Sequence, residues 1–221
     1  SSWTDISYPG LRRRSLYSDT SSYRKISAMA VDAFDSRHIV IATKHSMYES
    51  NDGGLSWHGK SVGNGFQRHY ITALAISNKT IYAGTSYGGL FRVSKDRPVC
   101  ISDGLPCEYY SNSLKFYEEI SSLAISDTGS ILVSLAHTDE IYVFSDGKWS
   151  LVVAGTHEKG KYHSSVASSS DSILFFNDRV FKMKGKMITG QEADNDIRYN
   201  VPYPARSFFI ISNNNTCYMV E

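Results

Sequence analysis

The chain has 221 residues, 41% hydrophobic and 13% aromatic, with a formal net charge of +1. That length buries a sizeable core as one all-β domain or two small ones, and the near-zero charge gives no bulk attraction to nucleic acid or to an anionic membrane. No apolar run is long enough to span a bilayer, and the three cysteines are too few for a disulfide framework.

The chain opens Ser-Ser-Trp, without an initiator Met or a charged-then-apolar leader. The expectation is a removed leader or a piece of something longer. Residues 2–7, around Trp3, read as a strand. A long connection follows, carrying Arg12, Arg13 and Arg14 with Arg24 and Lys25 nearby. This is the one dense basic run, and a solvated loop explains it better than an anionic contact.

A repeat then begins. Ile26-Ser-Ala-Met-Ala-Val31 returns as Ile71-Thr-Ala-Leu-Ala-Ile76, Ile120-Ser-Ser-Leu-Ala-Ile125, His163-Ser-Ser-Val-Ala-Ser168 and Arg206-Ser-Phe-Phe-Ile-Ile211. The period of about 45 residues, with strand-like alternation in each copy, points to β-propeller blades and excludes a helical solenoid. Second strands follow at His38–Thr43, Thr80–Thr85, Ser130–Ser134, Ser172–Phe176 and Thr216–Val220. Third strands are expected at Ser46–Ser50, Gly89–Ser94, Glu140–Ser145 and Arg179–Met183. Fourth strands are expected at Leu55–Lys60, Val99–Ser102, Trp149–Val153 and Met187–Thr189. The reading is an all-β propeller of four-stranded antiparallel blades, about five of them, in one domain 1–221. The blades fall at approximately 26–62, 71–102, 120–154, 163–190 and 206–221, with strand 2–7 available to the last. A set of blades from a larger propeller is the alternative.

Between the third and fourth strands of the first repeat stands Ser50-Asn-Asp52-Gly53-Gly54-Leu-Ser56-Trp57. Ser50 and Asp52 are placed to bond turn backbone, Gly53 and Gly54 supply positive φ, and Trp57 is a large apolar anchor. A shortened copy recurs at Ser145-Asp146-Gly147-Lys148-Trp149. The spacing Ser-x-Asp-x-Gly-x-Ser-Trp resembles the Asp-box (BNR) repeat of sialidase-like and Ycf48-like β-propellers. The resemblance makes Ser50, Asp52, Gly54, Trp57, Asp146 and Trp149 structural residues of the turns, remote from any active site. It also implies an extracytoplasmic or secreted setting.

The same family raises a glycoside-cleaving function, which uses an arginine cluster, a Tyr nucleophile and acidic partners. Here Arg24, Arg68, Arg179, Arg198 and Arg206 fall on different loop types, and no Tyr–Glu pairing stands out. No catalytic residue and no cofactor is assigned. Several histidines lie in loops of one blade face, among them His45, His69, His137, His157 and His163, but none has a ligand spacing such as H-x-x-x-H. No metal site is expected.

What remains is binding. The segment Ser102–Glu119 is the longest loop between expected blades and carries Tyr109, Tyr110, Phe116 and Tyr117. Cys100 and Cys107 flank its start and read equally as a small ring or as two ordinary thiols. Loop position and side-chain type select Arg68, His69, Tyr87, Tyr109, Tyr110 and His137 as partner-binding residues. The expected function is a protein-binding scaffold, an assembly factor or a receptor ectodomain. The alternatives are a carbohydrate-binding or sialidase-like propeller, and a structural blade set in a multidomain protein. Expected partners are a protein and, on the carbohydrate-binding alternative, a glycan, with no nucleic acid and no membrane span.

Overall fold

Short runs that alternate apolar and polar residues, separated by polar turns, give strands and no helix among the described residues. The structure is a computed structural model and describes residues 26–43, 46–60, 69–94, 97–111, 114–126, 129–138, 140–153, 166–169, 172–175, 179–184, 187–192, 208–211 and 217–220. The chain divides into two compact units, Ser1–Ser122 and Leu123–Glu221. The expected strand 2–7 and the basic run at Arg12 lie outside the described residues.

In the first unit, β1 (Ile26–Asp32), β2 (Asp35–Thr43), β3 (Met47–Ser50) and β4 (His58–Lys60) form a four-stranded antiparallel sheet in that order. The next sheet repeats the arrangement with β5 (Ile71–Ser77), β6 (Thr80–Thr85), β7 (Leu90–Ser94) and β8 (Arg97–Cys100). Each is the meander of a propeller blade. One apolar cluster joins them: Ala28, Val40, Ala42 and Met47 of the first sheet pack with Ile71, Leu74, Ile76, Ile81, Ala83, Phe91 and Val93 of the second. The small alanines of β1 and β2 let the second sheet approach closely.

Equivalent positions of the repeat have unequal surroundings. Ile71, Leu74 and Ile76 are 1%, 8% and 6% exposed, whereas their counterparts Ile26, Met29 and Val31 in the first copy are 50%, 54% and 46% exposed. The strands are alike in sequence, and among the described residues only the second has a sheet laid over that face.

Two strand boundaries differ from the expectation for a local reason. The fourth strand of the first sheet begins at His58 rather than Leu55, because the Ser56 N–H and hydroxyl both bond Asp52 and hold the turn through residue 56. The fourth strand of the second sheet runs Arg97–Cys100 rather than Val99–Ser102. Ser102 instead turns its hydroxyl onto the Leu90 backbone, where Oγ accepts from N–H at 2.7 Å.

A larger difference follows. Residues expected as an insertion loop form a hairpin, β9 (Cys107–Ser111) and β10 (Leu114–Tyr117), with Phe116 opposite Glu108 and Lys115 opposite Tyr109. The aromatic-rich sequence suits a strand pair.

A third four-stranded sheet runs in the order β11 (Ile120–Ile125), whose second half opens the second unit, β12 (Ile131–Leu135), β13 (Ile141–Ser145) and β14 (Lys148–Val153). Ile131, Leu132, Val133, Leu135 and Ile141 are buried there. A fourth sheet holds β15 (Val166–Ser169), β16 (Ser172–Phe175), β17 (Arg179–Lys184) and β18 (Met187–Glu192), in which β18 runs past the expected end at Thr189. The last element is a strand pair, β19 (Phe208–Ile211) and β20 (Cys217–Val220).

Candidate binding surface

The hairpin β9–β10 is fastened to the turn between β6 and β7, and that turn is built from small and hydroxylated residues for geometric reasons. The Thr85 hydroxyl accepts from Gly88 N–H at 2.9 Å and donates to Gly89 O at 2.9 Å, closing the turn on itself. Gly89 has φ +76, and a Cβ there would run into the Ser102 side chain. At Gly88 a Cβ would stand 2.7 Å from His69 Cδ2, so the imidazole lies directly on this glycine. Ser86 N–H donates to Tyr70 O at 2.9 Å, and Tyr70 N–H to the Ser86 hydroxyl at 3.2 Å. His69, Tyr70 and Tyr87 are thereby gathered at one turn.

Tyr87 meets the hairpin twice. Its carbonyl accepts from Tyr117 N–H at 2.9 Å, and its ring stands edge-on to Phe116 with centroids 6.3 Å apart. On the other face of the hairpin, the Lys115 ammonium lies 5.9 Å from the centre of the Tyr109 ring and donates to Asp103 at 2.9 Å. That bond raises the Lys115 pKa above the usual lysine range. Tyr87 and Tyr109 remain 49% and 68% exposed. Cys100 and Cys107 are free thiols.

Of the residues selected from the sequence, the structure therefore brings His69 and Tyr87 together and sets Tyr109 on the adjoining hairpin. Tyr110 belongs to β9 by its backbone. Arg68 lies outside the described residues. His137 is exposed in the second unit, between β12 and β13. Lys115 and Asp103 were not singled out and Phe116 was named only among the loop's aromatics, although the alternation of Lys115 and Tyr117 with Phe116 is itself a strand signal.

The turn at Ser50 is closed by its own hydrogen bonds. The Ser50 hydroxyl accepts from Gly54 N–H at 2.8 Å and donates to Asp52 at 2.8 Å. Asp52 also accepts from Ser56 N–H at 2.8 Å and from the Ser56 hydroxyl. The Ser56 hydroxyl chiefly, then its N–H and the Ser50 hydroxyl, hold the Asp52 carboxyl down to about 2. Gly53 and Gly54 adopt φ +75 and +88. Trp57 is half-buried, less enclosed than an anchor residue is expected to be. In the second unit the Asp146–Gly147 turn brings Trp149 beside Phe144, with ring centroids 5.0 Å apart.

A second polar group was missed in the sequence altogether. Each strand of the first sheet contributes one ionisable residue: Asp32, His38, Glu49 and Lys60. His38 Nδ1 is 3.2 Å from Asp32 Oδ2, His38 Nε2 is 2.8 Å from Glu49 Oε1, and Lys60 donates to Glu49 Oε2 at 2.7 Å. Asp32 also accepts from Phe34 N–H and, from the next sheet, from Lys79 N–H at 3.0 Å. Burial raises the Asp32 pKa, but these bonds outweigh it and leave the carboxyl below its ordinary value. For Glu49, burial is likewise overcome, by Lys60 first and then His38. Asp32 and His38 are 2% and 3% exposed, so this is a buried charge ladder that ties strands together rather than a site open to substrate. Among the described residues, no group of His, Cys, Asp and Glu side chains is arranged to hold a metal ion.

Comparison with models of known protein families finds no match, and comparison with curated proteins finds none either. Solved structures do match. The extracellular domain of the putative one component system BT4673 from B. thetaiotaomicron superposes with a TM-score of 0.54 at 14% identity, covering 88% of this chain and 26% of that one. The GH74 xyloglucanase from Xanthomonas campestris gives 0.50 at 14% identity, covering 75% and 30%. A structure of YCF48 bound to D1 peptide gives 0.49 at 13%, covering 81% and 57%. The chain thus spans less than two thirds of the length of each of these structures. The first two likenesses, together with the four-stranded antiparallel sheets, make this an all-β chain of β-propeller blades.

Proposed function

We propose that this chain is a non-catalytic propeller module that binds a protein partner through hairpin β9–β10 and the adjoining turn at Tyr87. The observation that carries the reading is a strand pair standing outside the four-stranded repeat, with exposed tyrosines midway along β9 and at its base. Tyrosines of this kind supply large, rigid contact area at low entropic cost and are enriched where interfaces concentrate their energy. The base of the hairpin is fixed by backbone bonds, so the surface is pre-organised. The xyloglucanase likeness is one of fold, and sugar stacking on Tyr109 is the competing use of the same surface. The extracellular domain of BT4673 has the same fold, and an extracytoplasmic setting is part of the proposal.

The test is cross-linked affinity capture from the native source with the wild-type chain and the double variant Tyr87→Ala/Tyr109→Ala. Capture of one stoichiometric protein should fall at least about tenfold in the variant, with the chain still folded cooperatively and a melting temperature lowered only by loss of the Tyr87–Phe116 contact. Undiminished capture overturns the proposal, and enrichment of glycans alone transfers the surface to sugar binding.

A further inference from the structure

We infer that the outer edge of β9 is a strand-addition site for an extended peptide of the protein partner, one that places a basic residue opposite Glu108; this rests on the protein-binding reading above. The backbone comes first. In an antiparallel pair, facing residues alternate between those that exchange N–H···O bonds and those whose N–H and C=O point away from the other strand. Tyr117 N–H donates away from β9, to Tyr87 O, so Tyr117 and its partner Cys107 are an outward-pointing pair. Glu118 N–H reaches back to Pro106 O at 3.4 Å, as the same alternation requires. Phe116 and Glu108 are then the bonded pair, and Lys115 and Tyr109 the next outward one.

The two edges of the hairpin consequently differ. The outward groups of β10 turn toward the Tyr87 turn that holds it. Those of β9, on Cys107 and Tyr109, turn to the opposite edge, where the two-stranded sheet ends. Among the described residues no backbone hydrogen bond outside the hairpin reaches Cys107 or Tyr109. Glu108 and Tyr109 are exposed and Cys107 is partly exposed, and among the described residues no strand pairs with this edge. Unpaired edge groups of this kind are the template that strand addition uses.

The side chains select the occupant. Tyr109 and Lys115 share one face, and the Lys115 charge is already matched by Asp103. Glu108 shares the other face with Phe116 and makes no ion pair among the described residues. An extended segment that sets an apolar or aromatic side chain beside Tyr109, and a basic one beside Glu108, complements both faces. A second copy of β9 is disfavoured in the register that sets Cys107 opposite Tyr109, where Glu108 would face Glu108 and like charges oppose the pairing.

The test pans a phage-displayed library of random heptapeptides against the full chain and resynthesises the most enriched peptide. Its Kd is then measured for the wild type and for Tyr109→Pro, Tyr109→Ala and Glu108→Lys. Proline removes an outward N–H and no bond inside the hairpin, so Tyr109→Pro should lose at least about tenfold more affinity than Tyr109→Ala. Glu108→Lys should switch enrichment from basic to acidic peptides, a readout that stands even where the proline variant fails to fold. Equal losses for Pro and Ala, or no change in peptide charge with Glu108→Lys, overturn strand addition and leave the protein-binding reading intact. Failure to enrich any peptide while capture still depends on Tyr87 and Tyr109 does the same. Self-association that Tyr109→Pro abolishes would give the edge to a second copy and also overturn it. Capture indifferent to Tyr87 and Tyr109 removes the underlying reading itself.

Discussion

Two polar regions of the first unit make opposite use of similar chemistry. The ladder Asp32–His38–Glu49–Lys60 buries its ionisable groups and matches them to one another across four strands. The hairpin β9–β10 leaves backbone donors and acceptors, a carboxylate and a tyrosine at an open edge. A charge removed from water without a partner is costly, so the ladder is informative about stability. Groups that stay hydrated carry little penalty and are free to exchange water for a partner. Satisfied polarity marks the structural half of this comparison, and unsatisfied but exposed polarity marks the binding half.

The sharpest way to break that contrast is His38→Ala. Removing the imidazole leaves two carboxylates facing a gap, and urea denaturation should show a loss of about 3–5 kcal/mol. Peptide and partner binding should be unchanged when measured under conditions where the variant is folded. A loss below about 1 kcal/mol would mean that the ladder is hydrated and not a structural tie.

Trp57→Ala comes next. Because Trp57 is only half-buried, the expected cost is about 2 kcal/mol, below the ~3–5 kcal/mol typical of a fully buried aromatic. Thermal unfolding of the variant checks this.

Acid should act on the ladder and not on the edge. Asp32 and Glu49 have folded pKa values below their ordinary ones. The stability they contribute is therefore complete above about pH 5 and is lost as pH falls through their folded values. Asp52, held at about 2, adds to the same trend. A stability profile that is flat between pH 5 and the acid limit, or that falls toward neutral pH, would contradict this sign. At the small end of the scale, Tyr109→Ala should change stability by no more than about 0.5 kcal/mol, because the side chain is exposed. Its effect belongs to binding.

Much of the blade architecture was readable in the sequence because it repeats. Ile-Ser-Ala-Met-Ala-Val and Ile-Thr-Ala-Leu-Ala-Ile impose the same local strand wherever they occur. What covers that strand was not readable: Met29 and Leu74 are equivalent in pattern, yet one is exposed and the other buried. Burial depends on the next sheet, which alternation within one strand does not encode. The ladder escaped notice because its members are spread along the chain from Asp32 to Lys60, and a lone charge at a strand end reads as solvated until register brings four together. The hairpin escaped because Gly104, Pro106 and several polar residues suggested a loop, whereas cross-strand pairing of Tyr109 with Lys115 and of Glu108 with Phe116 organises it. Tyr109 itself was found from its residue type, but the edge that gives it a role was visible only from the bond between Tyr117 and Tyr87.

Residue-resolved amide hydrogen exchange of the full chain, free and with the enriched peptide, tests the central claim most directly. The account predicts that in the free protein the Glu108 amide, bonded within the hairpin, exchanges slowly, while those of Cys107 and Tyr109 exchange fast. On binding, the Tyr109 amide should slow at least about tenfold while Glu108 changes little. A Tyr109 amide already as slow as Glu108 in the free protein, or one that the bound peptide leaves fast, would contradict it.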